Sequence, residues 1–141
     1  MWATTFEARL RDWQLLRHRV TDAPKPECLE HINQWWFAAP WCGYYLHWDD
    51  RATWPDPWQL LEDNIFCSLA RGLGMLYTIS LLDRADIKHS ELVQTENDNL
   101  VLIDSGKYVL NWDPHRIVNI SPGTINPRHR VQQTSINQTI R

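Results

Sequence analysis

A cysteine becomes a nucleophile only with help, and the residues around Cys67 decide whether this chain supplies it. Ile65, Phe66, Leu69, Ala70, Leu73, Leu76 and Tyr77 recur at three- and four-residue spacing, which predicts a helix over 64–82 with one buried face. Asn64 has the side chain of an N-cap, placing Cys67 in the first turn. Unpaired N–H groups and the positive end of the helix dipole favour a thiolate there, so nucleophilic chemistry is open to it. The plainer alternative is a small apolar residue filling a core, the role of most unpaired cysteines. A thiol enzyme further needs a base, nearly always His, within reach of the sulfur, and an Asp or Asn to orient that base.

The elements that must position these groups follow from the pattern after the helix. Residues 87–95, 99–104, 107–112 and 117–120 alternate with period two and read as short antiparallel strands, joined at Glu96-Asn97-Asp98 and by a two-residue turn at Ser105-Gly106. A helix from Cys67 to about Leu82 is roughly 24 Å long at ~1.5 Å per residue, and the first strand matches it at ~3.3 Å per residue. A short link makes them antiparallel neighbours, so Cys67 faces Glu96 to Asn99. The next hairpin brings Asn111, Trp112 and Asp113 to the same end. Asn111 or Asp113 fills the orienting role. His89 lies at the far end of its strand, some ~20 Å off, which leaves His115 as base if it folds back. The catalytic set to look for is therefore Cys67, His115, Asn111 and Asp113, with the Cys67 amide in the oxyanion hole.

The segments Cys67-Ser68-Leu69-Ala70, Asn99-Leu100-Val101-Leu102 and Gly106-Lys107-Tyr108-Val109-Leu110-Asn111-Trp112-Asp113-Pro114 span about half the chain. In that order they resemble the transglutaminase-like branch of the papain-like superfamily. The resemblance implies an α+β fold: N-terminal helices, then a central helix packed on a small antiparallel meander. It also implies a cysteine hydrolase or acyltransferase, in which a histidine opens the second strand. This chain has Asn97, Asp98 and Asn99 at that point. Asparagine takes no proton from a thiol at neutral pH, so Asn97 and Asn99 mark a degenerate site and the chemistry is expected to be lost. Compact domains of this style resemble open reading frames of tailed bacteriophages. The expectation is thus a non-catalytic assembly protein of the virion (tail, baseplate or neck), found in the virion or host cytoplasm; the alternative is the papain-like enzyme built on Cys67.

Composition narrows the remaining classes. The 141 residues suit one domain. A formal charge of −3 provides no broad positive field for nucleic acid or anionic lipid. Three scattered cysteines without a Cys-x-x-Cys pair argue against a zinc ribbon or a thioredoxin-type site and for reduced thiols in a cytosolic protein. No apolar run approaches ~20 residues, so no transmembrane segment is expected, and no signal peptide is recognised. Nine tryptophans exceed what packing needs. They predict heavy aromatic burial or a docking surface for other chains, with Trp35, Trp36, Trp41, Trp54 and Trp58 as anchors.

Along the chain, Thr4 and Glu7 have capping-box spacing before a helix to residue 20, whose Arg9, Arg11, Arg17 and Arg19 fall mostly on the solvent side. Pro26 opens a second helix that Pro40 ends; residues 41–51 read as an irregular aromatic connection. His47, Asp49 and Asp50 lack a further donor, so no metal is expected, and no cofactor motif appears. Asp56 and Pro57 start a short helix. Ser121-Pro122-Gly123 closes the domain at residue 123. Residues 124–141 are polar, with Arg128, His129, Arg130 and Arg141, and too poor in apolar side chains to order alone. They are expected to be a tail held by a partner chain. Nucleic-acid binding through these residues is disfavoured, because the patch is short and lacks interleaved aromatics.

Overall fold

The computed structural model describes residues 1–43, 45–120, 125 and 127–140. The architecture is α+β, with helices leading into a five-stranded antiparallel sheet. Helices α1 (Phe6–Val20), α2 (Lys25–Phe37), α3 (Pro57–Asp63) and α4 (Ser68–Leu82) precede strands β1 (Ser90–Gln94), β2 (Asn99–Ile103), β3 (Tyr108–Asp113) and β4 (Arg116–Val118). Strand β5 (His129–Gln132) and helix α5 (Gln133–Ile140) follow. The strand order is β4-β3-β2-β1-β5, with Gln94 opposite both Asn99 and His129, and Val101 opposite Leu110.

Helix α4 is the centre of the molecule. Leu69, Ala70, Leu73, Met75, Leu76, Tyr77 and Ile79 are buried almost all round it, against Leu92, Val101, Ile103, Leu110 and Val131 of the sheet and against α1 and α2. Gly74 lets α2 come close: a Cβ there would stand 2.6 Å from the Trp36 ring. One turn on, the Thr78 hydroxyl accepts the indole N–H groups of Trp13 (2.9 Å) and Trp36 (3.0 Å) and donates to Gly74 O. Three helices are thus locked at one buried atom. The sheet's other face is apolar too: Val93, Leu100, Leu102 and Val109 are buried beneath Val118, Ile120 and Ile125.

Several local expectations change. Thr5, not Thr4, caps α1, its hydroxyl accepting from Ala8 N at 3.2 Å. Arg9 turns inward and donates to Leu61 O at 2.8 Å, while Arg17 lies over the Trp13 ring. Asn64 ends α3 in the left-handed conformation (φ 56°) instead of starting α4, so Cys67 is the N-cap of α4. The α3 cap at Asp56 and the proline start at Pro57 are as the sequence predicts. The irregular aromatic connection contains a 3-10 helix, Trp48–Thr53. The first strand begins only at Ser90, because Arg84 is held by Asp86 and by the Val20 and Ala23 carbonyls in the preceding turn. The two-residue turn is a three-residue one in which Asp104, Ser105 and Gly106 all take positive φ.

The largest correction concerns the C-terminal segment. Residues 129–140 are not a tail without structure of its own. They pair with β1 through β5 and pack on α4 through α5, burying Val131 and Ile136. Composition averaged over 124–141 hides these two apolar anchors among polar neighbours. The Ser121-Pro122-Gly123 boundary lies outside the described residues.

Candidate functional site at the start of α4

Cys67 has extended backbone (φ −100°, ψ 178°) because it must join a β-like segment to a helix. Its predecessor Phe66 forms a parallel bridge with Trp41, and Cys42 N donates to Phe66 O at 2.7 Å. The side chain of Cys67 is buried and caps nothing, and Cys42, Tyr45 and Arg71 lie within electrostatic reach of it. Burial, then the charge on Cys67, pushes the Cys42 thiol up. Arg71, one turn into α4, lies 3.9 Å above the Phe37 ring and 5.4 Å from that of Trp41. Burial brings its guanidinium down to about 10, opposed by the Cys67 charge, so it stays cationic near neutrality. Tyr45 donates to Asp63 at 2.6 Å; burial first and that carboxylate second raise its phenol.

Asn111 meets this pocket from the sheet. It sits inside β3 with φ 69°, a conformation asparagine tolerates better than most residues, and it is buried. Its hydrogen bonds account for the strain. Its backbone N–H donates to Asn33 Oδ1 (2.8 Å), Nδ2 donates to Ser68 O (2.9 Å) and Asn99 O (2.7 Å), and Oδ1 accepts from Arg71 Nε (2.6 Å). Asn33 Nδ2 in turn donates to Asp113 O. Asn99 Oδ1 accepts from Trp48 Nε1 at 2.8 Å, and the Trp48 ring stacks on His129. The start of α4, Asn99 and Asn111 therefore converge as the strand lengths require.

The other candidates stand apart from this cluster. Asp113 Oδ1 accepts the backbone N–H of His115 (2.8 Å) and Oδ2 accepts from Arg116 Nε (3.2 Å). The amide of His115, followed by Arg116, holds that carboxyl below the usual range. His115 is exposed in the β3–β4 turn and touches Asp113 through its backbone, not its ring. His89 is at the opposite end of the sheet, its carbonyl accepting from Asp104 N. Asn97 is exposed and lines a groove of about 590 Å³ on the sheet face away from α4, together with Trp112, Leu100 and Val109. Among the described residues no group of three or more His, Cys, Asp or Glu side chains could hold a metal ion, and no helix is long and apolar enough to cross a membrane.

The proposed tryptophan anchors divide. Trp36 and Trp54 belong to the core, a correction that follows from their indole N–H groups finding Thr78 Oγ1 and His47 O inside. Trp35 is half-buried between Trp2 and Trp36. Trp41 (62 % exposed) and Trp58 (38 %) remain outside, and Trp112 (53 %), turned outward by the irregularity of β3 at Asn111, joins them. Arg128 is tied by its N–H to Gln94 O, and Arg130 pairs with Glu91 at 3.7 Å. Arg141 lies outside the described residues. Sequence reading missed Arg71, although its four-residue spacing from Cys67 puts both on one helix face. It also missed Cys42, which only the bridge at Trp41 brings near. No family model, curated protein or solved structure matches this chain.

Proposed function

We propose that this protein is a non-catalytic assembly component with a degenerate transglutaminase-like fold, belonging to the particle of a tailed bacteriophage (tail, baseplate or neck). One observation carries the non-catalytic reading. Where that family places its base, this chain has Asn97, Asp98 and Asn99, and the amides that do reach the start of α4, those of Asn99 and Asn111, are spent on structure: Asn111 on Ser68, Asn99 and Arg71, Asn99 on Trp48. Neither accepts a proton. The phage assignment rests on the resemblance of the sequence, and docking on other chains falls to the exposed Trp41, Trp58 and Trp112. The test is a Trp41→Glu, Trp112→Glu double variant expressed in place of the parent chain. It should melt as the parent does yet be missing from purified particles. Equal incorporation would remove the reading.

The second reading is a papain-like cysteine hydrolase or acyltransferase, favoured by Cys67 at a helix start beside the cation of Arg71. Its base would be His115. Rapid alkylation of Cys67 by iodoacetamide at about pH 6, abolished by His115→Ala, supports it; labelling no faster than that of an ordinary thiol removes it.

A further inference from the structure

We propose that Cys42 and Cys67 are a redox-active dithiol that closes to a disulfide by exchange with a small disulfide of the glutathione type. The backbone sets them up. The parallel bridge pairs Trp41 with Phe66, so the next residues in register are Cys42 and Cys67. The Cys42 N–H to Phe66 O bond (2.7 Å) holds that register up to the cysteines themselves. Register neighbours in a sheet stand about 5 Å apart with side chains on the same face, inside the Cα separation of about 4.4–6.8 Å that a disulfide spans. The two sulfurs are not equivalent. Cys42 is half-buried beside the exposed Trp41, whereas Cys67 is buried at the positive end of α4 with Arg71 in its pocket. Cys28, buried in α2, belongs to the contact with Arg84 and Asp86 and takes no part.

Exchange begins at the accessible sulfur. Cys42, deprotonated, attacks one sulfur of the small disulfide; the S–S bond breaks and the first small thiol leaves. Cys67, as the thiolate, then attacks the Cys42 sulfur of the mixed disulfide. The Cys42–Cys67 bond forms and a second small thiol leaves. Two protein thiols are oxidised, one disulfide is reduced, and both protein protons end on the released thiols. The product ties the connection after α2 to the start of α4, which in the reduced protein is joined to it at the Trp41–Phe66 bridge.

The experiment incubates the reduced, full chain with oxidised glutathione at about pH 8, blocks remaining thiols, unfolds the protein and counts them. The expected count falls from three to one, and peptide mapping joins the Cys42 peptide to the Cys67 peptide. A Cys67→Ser variant should stop at a glutathione adduct on Cys42. Retention of three thiols, a wild-type adduct on Cys42 that never closes, or a disulfide that includes Cys28 would each overturn the proposal. Counting and mapping the unsubstituted chain decides the matter even if the serine variant folds poorly.

Discussion

Trp13 of α1 and Trp36 of α2 donate their indole N–H groups to the same oxygen, the hydroxyl of Thr78 on α4. Both indoles are fully buried, so each N–H has traded water for that single acceptor. Thr78→Val keeps the shape and removes the acceptor, stranding two donors. We expect a loss of about 2–5 kcal/mol in urea unfolding, whereas Thr78→Ser should lose about 1 kcal/mol. A Thr78→Val variant as stable as the parent would mean that the shared hydroxyl contributes nothing.

Asn111 is held in a left-handed backbone by the four hydrogen bonds its main-chain N–H and side chain make. Asn111→Ala loses the side-chain bonds and keeps the strain; Asn111→Gly loses the bonds but relaxes the backbone. Alanine should therefore cost about 3–4 kcal/mol and glycine about 1 kcal/mol less. Thermal unfolding of the two variants side by side checks the order. Glycine as the worse of the two would refute the strain argument.

Asp113 titrates below an ordinary carboxylate because the His115 N–H and the Arg116 guanidinium both favour its charged form. A carboxyl whose folded value is depressed adds stability that is complete above the unfolded value near ~4. That stability fades as the pH falls through the lower folded value. Asp113→Asn should flatten this part of the acid unfolding curve and leave stability near neutrality dependent only on the bonds themselves. An Asp113 carboxyl titrating at the free-aspartate value by NMR would contradict the hydrogen-bond pattern.

Deleting residues 128–141 removes β5 and α5, uncovers the hydrogen-bonding edge of β1 and opens the core around Val131 and Ile136. Two lost apolar side chains alone amount to about 3–6 kcal/mol. The truncated chain should unfold at a markedly lower urea midpoint and self-associate on size exclusion, since an open strand edge recruits other strands. An unchanged midpoint would show that the segment is dispensable for the fold.

Period and caps made most of the fold legible. The stripe of α4, the Asp56-Pro57 start of α3 and the short apolar runs of β2 and β3 are local signals, and each describes an element that forms. Asn64 deceived because one side chain suits either end of a helix: it can cap a start or take the left-handed turn that ends one. Strand β5 was hidden because its burial depends on β1, far away in sequence, and only Val131 of its residues is buried. At the site, strand length alone brought Asn99 and Asn111 to Cys67. Nothing local announces Cys42 or Asn33 as neighbours of that cluster, since tertiary pairing creates both contacts.

The place of β5 at the sheet margin has a consequence in time. Strands β1 to β4 are linked by short turns, so their ladder can zip as soon as neighbouring segments collide. The pairing of β5 with β1 waits for a distant stretch of chain to return, at a larger entropy cost. It should be the last ladder to close in refolding and the first to breathe at equilibrium, so amides shared by β1 and β5 should exchange with deuterium well before those shared by β1 and β2.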